Sequence, residues 1–211
     1  MAATKKEAPP TSVVLADSHK TLAVLFTNAA AFASRDTSRP ILTAVRLRTT
    51  KDGIELASTD SYALLMQHLA TDATPGPGME VLLDIAELRR VLRFCRPSDF
   101  EYIAVTTDAS VVEFAGGSIS VPHVNPGEIG YPNVDSLLDK YRKAPSSADF
   151  ALGVATLGKL GALKVPPPFN VEDYPTLKFR ATGPITPVVA TSSDHGEGWS
   201  AEALLMPVRA S

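Results

Sequence analysis

The chain has 211 residues, of which 45% are apolar and 20% are charged, and its formal net charge is -3. This composition indicates a globular protein with one large core or two modest ones, and the small negative charge argues against a general polyanion binder. No apolar run approaches the length of a membrane span, and the first ten residues lack the apolar core of a secretory signal, so export is not expected. The single cysteine, Cys95, excludes an internal disulfide and a cysteine-based zinc cluster, which predicts a protein of the reducing cytoplasm.

The first block of elements follows residues 1–11, which we predict to be a disordered tail. Residues 12–16 are predicted as a short strand, and the apolar spacing after them is typical of one amphipathic helix that ends before Pro40. Three strands are predicted next, at residues 41–49, 54–57 and 62–69. The block therefore has the order βαβββ.

A polar interruption, STDS at residues 58–61, separates the last two of these strands. Its Thr59-Asp60 pair can hydrogen-bond its own backbone and hold the bend rigid. Rigid bends make good pocket walls, so this bend is a candidate for a binding site.

The same order of elements then returns twice. The second copy is predicted as a strand at residues 80–84, a helix at 85–96 and three strands at 102–107, 111–114 and 118–124. After a predicted linker at residues 125–148, the third copy has a strand, a helix weakened by two glycines, and three strands, at residues 150–154, 155–163, 177–181, 188–191 and 201–208. Units with one apolar helix face and one apolar sheet face are expected to bury those faces together. We therefore predict an α+β fold with two units in residues 12–124 and a third unit in residues 149–211.

Three passages give the chain a resemblance to the bacterial DNA polymerase III β sliding clamp. They are TDSYALL, GYPNVDSLL and LLMPVRA, at residues 59–65, 130–138 and 204–210, and they stand in the family's order on top of the repeat. The resemblance covers about residues 12–210. It implies the DNA-clamp fold, in which repeated βαβββ units place antiparallel sheets outside and helices inside.

In that family the three passages meet in one pocket that takes the short linear motif of polymerases and of the clamp loader. Carried over position by position, the resemblance implies a peptide-binding pocket lined by Thr59, Ser61, Tyr62, Leu64, Pro132, Leu137, Leu204, Met206, Pro207, Val208 and Arg209. Such a set offers an adaptable apolar slot for Leu or Phe anchors of an extended peptide. The family has arginines where this chain has Ala63 and Ser136, so we expect a partner peptide with different polar ends. Taken singly, Leu64 or Leu204 is equally compatible with an ordinary core position.

The helix predicted at residues 85–96 carries Arg89, Arg93 and Arg96 at i, i+4 and i+7, a stripe opposite its apolar face. Such a stripe can lie against phosphates without reading sequence, which a sliding protein requires, whereas the alternative is a merely solvated face. The resemblance favours contact with double-stranded DNA. Cations around the first and third helices would extend this DNA-facing set: Lys20, Arg35, Arg39, Lys159 and Lys164.

The number of units predicts a homo-oligomer. A family subunit has six units and closes a ring as a dimer, whereas three units are counted here, so a ring of twelve units requires four chains. A tetramer is therefore favoured, with the odd half-domain pairing with its own copy across a two-fold axis.

The sequence thus predicts a sliding clamp, a polymerase processivity factor that encircles duplex DNA as an oligomeric ring and tethers a replicative polymerase through the pocket. The alternative is a clamp-like adaptor or decoy that binds polymerase or clamp-loader peptides without encircling DNA.

The residues do not favour an enzyme. Four isolated histidines lack metal-ligand spacing, and neither a phosphate loop nor a dinucleotide glycine pattern is present. Ser193, Asp194 and His195 are adjacent along the chain, so they cannot take the geometry of a catalytic triad. We predict no catalysis, no cofactor and no metal site. The histidines concerned are His19, His68, His123 and His195.

Overall fold

The structure is a computed structural model that describes residues 12–15, 19–70, 79–94, 100–106, 109–114, 117–125, 130–143, 152–165, 177–181, 183, 185–192 and 198–208. The predicted tail, residues 1–11, lies outside this range. The helices are α1 (His19–Phe32), α2 (Ile85–Phe94), α3 (Val134–Arg142) and α4 (Val154–Gly161). The strands are β1 (Ser12–Leu15), β2 (Ala44–Thr49), β3 (Gly53–Thr59), β4 (Ala63–Ala70), β5 (Glu80–Asp84), β6 (Phe100–Thr106), β7 (Ala109–Phe114), β8 (Gly117–Pro122), β9 (Lys178–Ala181), β10 (Val188–Ser192) and β11 (Trp199–Leu205). None of the described helices has both the length and the apolar character that crossing a membrane requires.

The described strands form two antiparallel sheets. One sheet has the order β1-β6-β7-β8, and the other has the order β5-β2-β3-β4-β11-β10-β9. The predicted α+β class, built on antiparallel sheets, is thereby confirmed.

The first two predicted units exchange their leading strands. β1 pairs with β6 of the second unit, with Val13 opposite Val105, and β5 pairs with β2 of the first unit, with Leu83 opposite Val45. Each unit therefore supplies an edge strand to the other unit's sheet. Separating them would expose two unpaired strand edges, which is costly.

Helix α1 forms the centre of the main core. Leu22, Leu25 and Phe26, which belong to the predicted apolar stripe, are fully buried, and so is Phe32. α1 contacts β3 and β4 in the larger sheet, β6 in the smaller sheet, and α2. Both helices thus lie inside, between the sheets. Each fully buried Leu or Phe side chain contributes about 1.5–3 kcal/mol relative to its exposure to water.

The third predicted unit extends the sheet of the first. β11 pairs with β4 along its whole length, so that Leu204 lies opposite Leu64 and Trp199 lies opposite Leu69. The strand predicted at residues 150–154 is wrong where it can be checked, because residues 152–153 are irregular and Val154 begins α4. No described strand lies beside this stretch to pair with it, and residues 150–151 lie outside the described range.

The strand predicted at residues 41–49 begins later in the structure than expected. Pro40–Thr43 is a 3-10 turn, and β2 begins only at Ala44. The Thr43 hydroxyl donates to the Pro40 carbonyl at 2.8 Å, and the Leu42 amide donates to the Arg39 carbonyl at 3.0 Å, so the turn satisfies its own polar groups. The apolar pattern alone misses this turn because Ile41 and Leu42 are residues that a buried strand also carries.

Helix α3 forms within the stretch predicted as a linker, and it lies on the face of the larger sheet opposite α1. Alternate strand residues show this, because Leu56 and Leu65 belong to the α1 core, whereas Ala57 and Leu64 pack with α3. Asn133 caps the helix by accepting a hydrogen bond from the Ser136 amide at 3.0 Å. α3 is thus an exception to the predicted arrangement with all helices inside.

Candidate functional site

A groove of about 490 Å³ lies between α3 and the outer face of the larger sheet. Its floor contains Leu64 of β4 and Leu204 of β11, which lie opposite each other and are 4% and 7% exposed. The bend between β3 and β4 forms one wall, and Leu137 and Tyr141 of α3 form another. The loop before β10 completes the lining with Ile185, Thr186 and Pro187.

The bend that forms the first wall is held by hydrogen bonds to its own backbone. One carboxylate oxygen of Asp60 accepts from the amides of Tyr62 and Ala63, both at 2.9 Å. The Thr59 hydroxyl donates to the Ala63 carbonyl at 2.9 Å and accepts from the Ser61 amide at 3.2 Å. Ser61 takes a φ of 82°, a conformation that needs such support outside glycine. The predicted hydrogen bonds of the Thr59-Asp60 pair to its own backbone are confirmed.

Two cations fix the bend to neighbouring elements. Lys159 of α4 forms an ion pair with the second carboxylate oxygen of Asp60, and Arg39 donates to the Ser61 hydroxyl at 3.0 Å. Partial burial opposes the ionisation of Asp60, but the hydrogen bond from Lys159 and those from the amides of Ala63 and Tyr62 outweigh it and lower the pKa of this carboxyl. The bend is therefore held by an ion pair at neutral pH.

The end of β11 is attached to the same bend. The Met206 amide donates to the Tyr62 carbonyl at 2.8 Å, which brings the segment after β11 beside the groove. Eight large apolar side chains are exposed among the described residues, and four of them line this groove: Tyr62, Leu137, Ile185 and Met206. Such a concentration of exposed apolar surface around a concave site is typical of a binding site.

Most of the predicted pocket residues converge in this groove. Those that line it are Thr59, Ser61, Tyr62, Leu64, Pro132, Leu137, Leu204 and Met206. Pro207 and Val208 follow Met206 but are not among the lining residues, and Val208 is 46% exposed. Arg209 lies outside the described residues.

Six further lining residues were not predicted. They are Leu42, Ala63, Tyr141, Ile185, Thr186 and Pro187. Tyr141 follows Leu137 by one helical turn, so a prediction of α3 from its Asn133 cap would have found it. Leu42 and the loop before β10 gave no comparable signal, because their place at the groove depends on the 3-10 turn and on the pairing of β4 with β11.

The predicted DNA-facing cations divide into two groups in the structure. Arg35, Arg93 and Lys164 are exposed, and none of them forms an ion pair with another described residue. Arg89 instead lies against α1, where its Nη2 donates to the Ala30 carbonyl at 2.6 Å. Burial, and less strongly the charge of Arg35, lower the pKa of Arg89. The side chain of Lys20 and all of Arg96 lie outside the described residues.

A second cleft, of about 560 Å³, contains the remaining predicted cations. It lies between the end of α1, the bend and α4, and Arg35, Arg39 and Lys159 are among its lining residues. Asp36 pairs with Arg39 at 3.1 Å, as Asp60 does with Lys159, so two of these cations are already neutralised. Two of the predicted DNA-facing cations therefore have carboxylate partners, and contact of the set with DNA stays a prediction.

The chemistry of the groove suits an extended apolar peptide. Its lining combines Leu, Met, Pro, Tyr and Ile side chains with a few hydroxyl and backbone groups that can orient a main chain. In the described part of the chain, no group of His, Cys, Asp and Glu side chains is placed to hold a metal ion.

Solved structures similar to this one are bacterial sliding clamps. The DNA polymerase sliding clamp of Bacillus subtilis matches with a TM-score of 0.71 and 13% identity, over 100% of this chain and 67% of that one. The sliding clamp of Pseudomonas aeruginosa bound to griselimycin matches with a TM-score of 0.69 and 11% identity, over 100% of this chain and 68% of that one. The DNA polymerase beta subunit of Streptococcus pyogenes matches with a TM-score of 0.67 and 19% identity, over 100% and 68% of the two chains. No protein-family model and no curated protein matches the sequence. This chain therefore has the fold of the bacterial DNA polymerase III beta sliding clamps.

Proposed function

We propose that this protein is a DNA sliding clamp, a non-catalytic processivity factor of the cytoplasm that tethers a replicative polymerase to duplex DNA. The fold shared with sliding clamps supports this function. The observation that carries it is the convergence of three distant segments, residues 59–64, 132–141 and 204–206, on one groove. These are the segments that the resemblance assigns to partner binding.

In this proposal the groove takes a short linear motif of the polymerase or of the clamp loader. Leu or Phe anchors of the peptide would cover the exposed parts of Leu137 and Met206 and contact the floor at Leu64 and Leu204. Ala63 supplies no charge at the bend, so the polar ends of the peptide contribute less to affinity than its apolar anchors do.

Ring formation is the second part of the proposal. Val154 and Leu157 share one face of α4, and they are 85% and 45% exposed, respectively. By contrast, α1 is covered by both sheets and by α2. This exposed apolar surface of α4 supports assembly with further copies of the chain, and the count of three units gives four chains for a closed ring.

DNA would lie against the exposed cations Arg35, Arg93 and Lys164. Contacts of this kind are made to phosphates and carry no sequence information, so the proposed DNA binding is non-specific and depends on salt.

A second candidate function is an adaptor or decoy that binds the same peptides without encircling DNA. The pairing of Arg39 with Asp36 and of Lys159 with Asp60, and the attachment of Arg89 to α1, favour it, because they leave fewer free cations for phosphates.

Ligation of DNA in the presence of the protein separates the two functions. Linear duplex DNA lets a ring thread over its ends, and ligase then traps the ring on a closed circle without any loader. A sliding clamp stays with the circle during gel filtration at about 0.5 M salt, where non-specific binding is lost, and leaves after the circle is cut. Peptide binding without retention on the circle supports the adaptor instead.

A further inference from the structure

Helix α3 forms a wall of the groove without belonging to either sheet, so its position depends on side-chain contacts. Its buried apolar contacts come from Val134 and Leu138, which pack against residues of the larger sheet such as Ala57. A helix of nine residues is not stable by itself in water. The remaining attachments of α3 therefore decide where Leu137 lies.

The N-terminal attachment is an ion-pair cluster on β2. The carboxylate of Asp135 lies between two arginines: Arg46 Nη1 donates to Oδ2 at 3.0 Å, Arg48 Nη1 donates to Oδ2 at 3.1 Å, and Arg48 Nη2 donates to Oδ1 at 3.0 Å. Arg48 also donates through Nε to Glu55 of β3 at 2.9 Å. The cluster thus joins the first turn of α3 to two adjacent strands.

Burial makes this cluster different from a surface ion pair. The side chain of Arg46 is 5% exposed, and Asp135 is its one hydrogen-bond partner among the described residues. Loss of the Asp135 charge would leave a buried guanidinium without a counter-charge, which is costly because the charge has no access to water. Arg48, which is 31% exposed, retains Glu55.

The C-terminal attachment joins α3 to a different strand. Arg142 Nε donates to Glu202 of β11 at 2.9 Å, and Nη1 donates to Asp139 within α3 at 2.8 Å. Arg180 of β9 also donates to the Arg142 carbonyl. α3 therefore reaches from β2 of the first predicted unit to β11 of the third, and Leu137 lies between the two attachments.

We propose that Asp135 is a positioning residue for the groove: its ion pairs with Arg46 and Arg48 fix α3 and thereby place Leu137 against the bound peptide. The inference deepens the proposed peptide-binding function and rests on it. Asp135 touches β2 and not the groove, so it acts through the helix.

The test compares Asp135→Asn with Lys143→Gln, a control at the C-terminal end of the same helix that removes one exposed charge for which the described residues provide no ion pair. Amide hydrogen exchange measures the mobility of α3 relative to β3 and β4. Fluorescence anisotropy measures the affinity for a labelled probe peptide, fluorescein-Gly-Leu-Ser-Leu-Phe-Gly-amide. We expect Asp135→Asn to speed exchange in α3 by about tenfold, with the sheet unchanged, and to weaken peptide binding by about fivefold or more.

Lys143→Gln should stay within about twofold of wild type in both measurements, and Asp135→Glu should restore part of both effects. If Asp135→Asn does not fold, Arg48→Gln tests the same cluster and is expected to loosen α3 less. Unchanged exchange in α3, or equal acceleration over α3 and the sheet, would overturn the inference. If wild-type protein does not bind the probe peptide, the proposed peptide function fails, whereas the exchange data still decide whether Asp135 fixes α3.

Discussion

Truncation of two side chains at the rim of the groove gives the sharpest test of peptide binding. Leu137 and Met206 are 40% and 42% exposed in the free protein, so a peptide can cover that remaining fraction. Full burial of such a side chain is worth about 1.5–3 kcal/mol, so covering about 40% of each is worth about 0.6–1.2 kcal/mol. Together the two side chains account for about 1.2–2.5 kcal/mol, and Leu137→Ala with Met206→Ala should raise the Kd by about 8- to 70-fold.

Anisotropy titration of the labelled probe peptide measures this change, and Leu157→Ala is the matched control. Leu157 is 45% exposed but lies on α4 and does not line the groove. It should therefore leave the Kd within about twofold, since it touches no part of the bound peptide. A Kd that is unchanged in the double variant, or an equal rise in Leu157→Ala, would refute the assignment of the groove. Thermal melting checks that neither variant unfolds.

Three further predictions concern stability and DNA contact. Gly53→Ala should lower the free energy of unfolding, measured in urea, by about 1–3 kcal/mol, because a Cβ would stand 2.0 Å from the Leu69 carbonyl oxygen in β4. An unchanged free energy of unfolding would contradict this close approach. Because the pKa of Asp60 is lowered in the fold, its ion pair with Lys159 stabilises the protein above the ordinary Asp pKa of about 3.9 and is lost as the pH falls through the lowered value. Asp60→Asn should therefore flatten the acid side of the curve of stability against pH, and a curve that is as steep as that of wild type would exclude this role. Arg93→Glu should weaken retention of duplex DNA more than Lys51→Glu, a change in the turn between β2 and β3, and equal effects would argue against a DNA-facing α2.

The sequence predicted the elements whose apolar periodicity is strong. The stripe from Leu22 to Ala33 predicts α1, and the strand-like runs at residues 54–57 and 62–69 predict most of β3 and β4. The hydrogen bonds of Thr59 and Asp60 in the bend were also predictable, because both side chains bond locally and need no tertiary context.

Tertiary contacts explain what the sequence did not predict. α3 has only two buried residues, Val134 and Leu138, so its apolar signal is weak, and the Asn133 cap was the available indication. The exchange of β1 and β5 between units follows from pairing partners far apart in the chain, which periodicity does not encode.

The hydrogen bonds and ion pairs of the arginines could not be predicted from the sequence either. The spacing of Arg89 and Arg93 shows which side of a helix they share, but it does not show that carbonyls at the end of α1 accept hydrogen bonds from Arg89. Arg46 lies between two apolar residues in β2, a spacing typical of a solvent-facing side chain, yet α3 covers that face and Asp135 neutralises the charge. Helices that pack on the outside of a sheet thus convert apparent surface charges into buried ion pairs.

The mass of the assembly in solution tests the proposed ring most directly. Sedimentation of the protein over a wide range of concentrations distinguishes a single chain from a closed set of chains. The proposed sliding clamp predicts a stable closed assembly, with four chains favoured by the unit count. A single chain at every concentration would contradict encirclement of DNA and would leave the adaptor as the function that the groove supports.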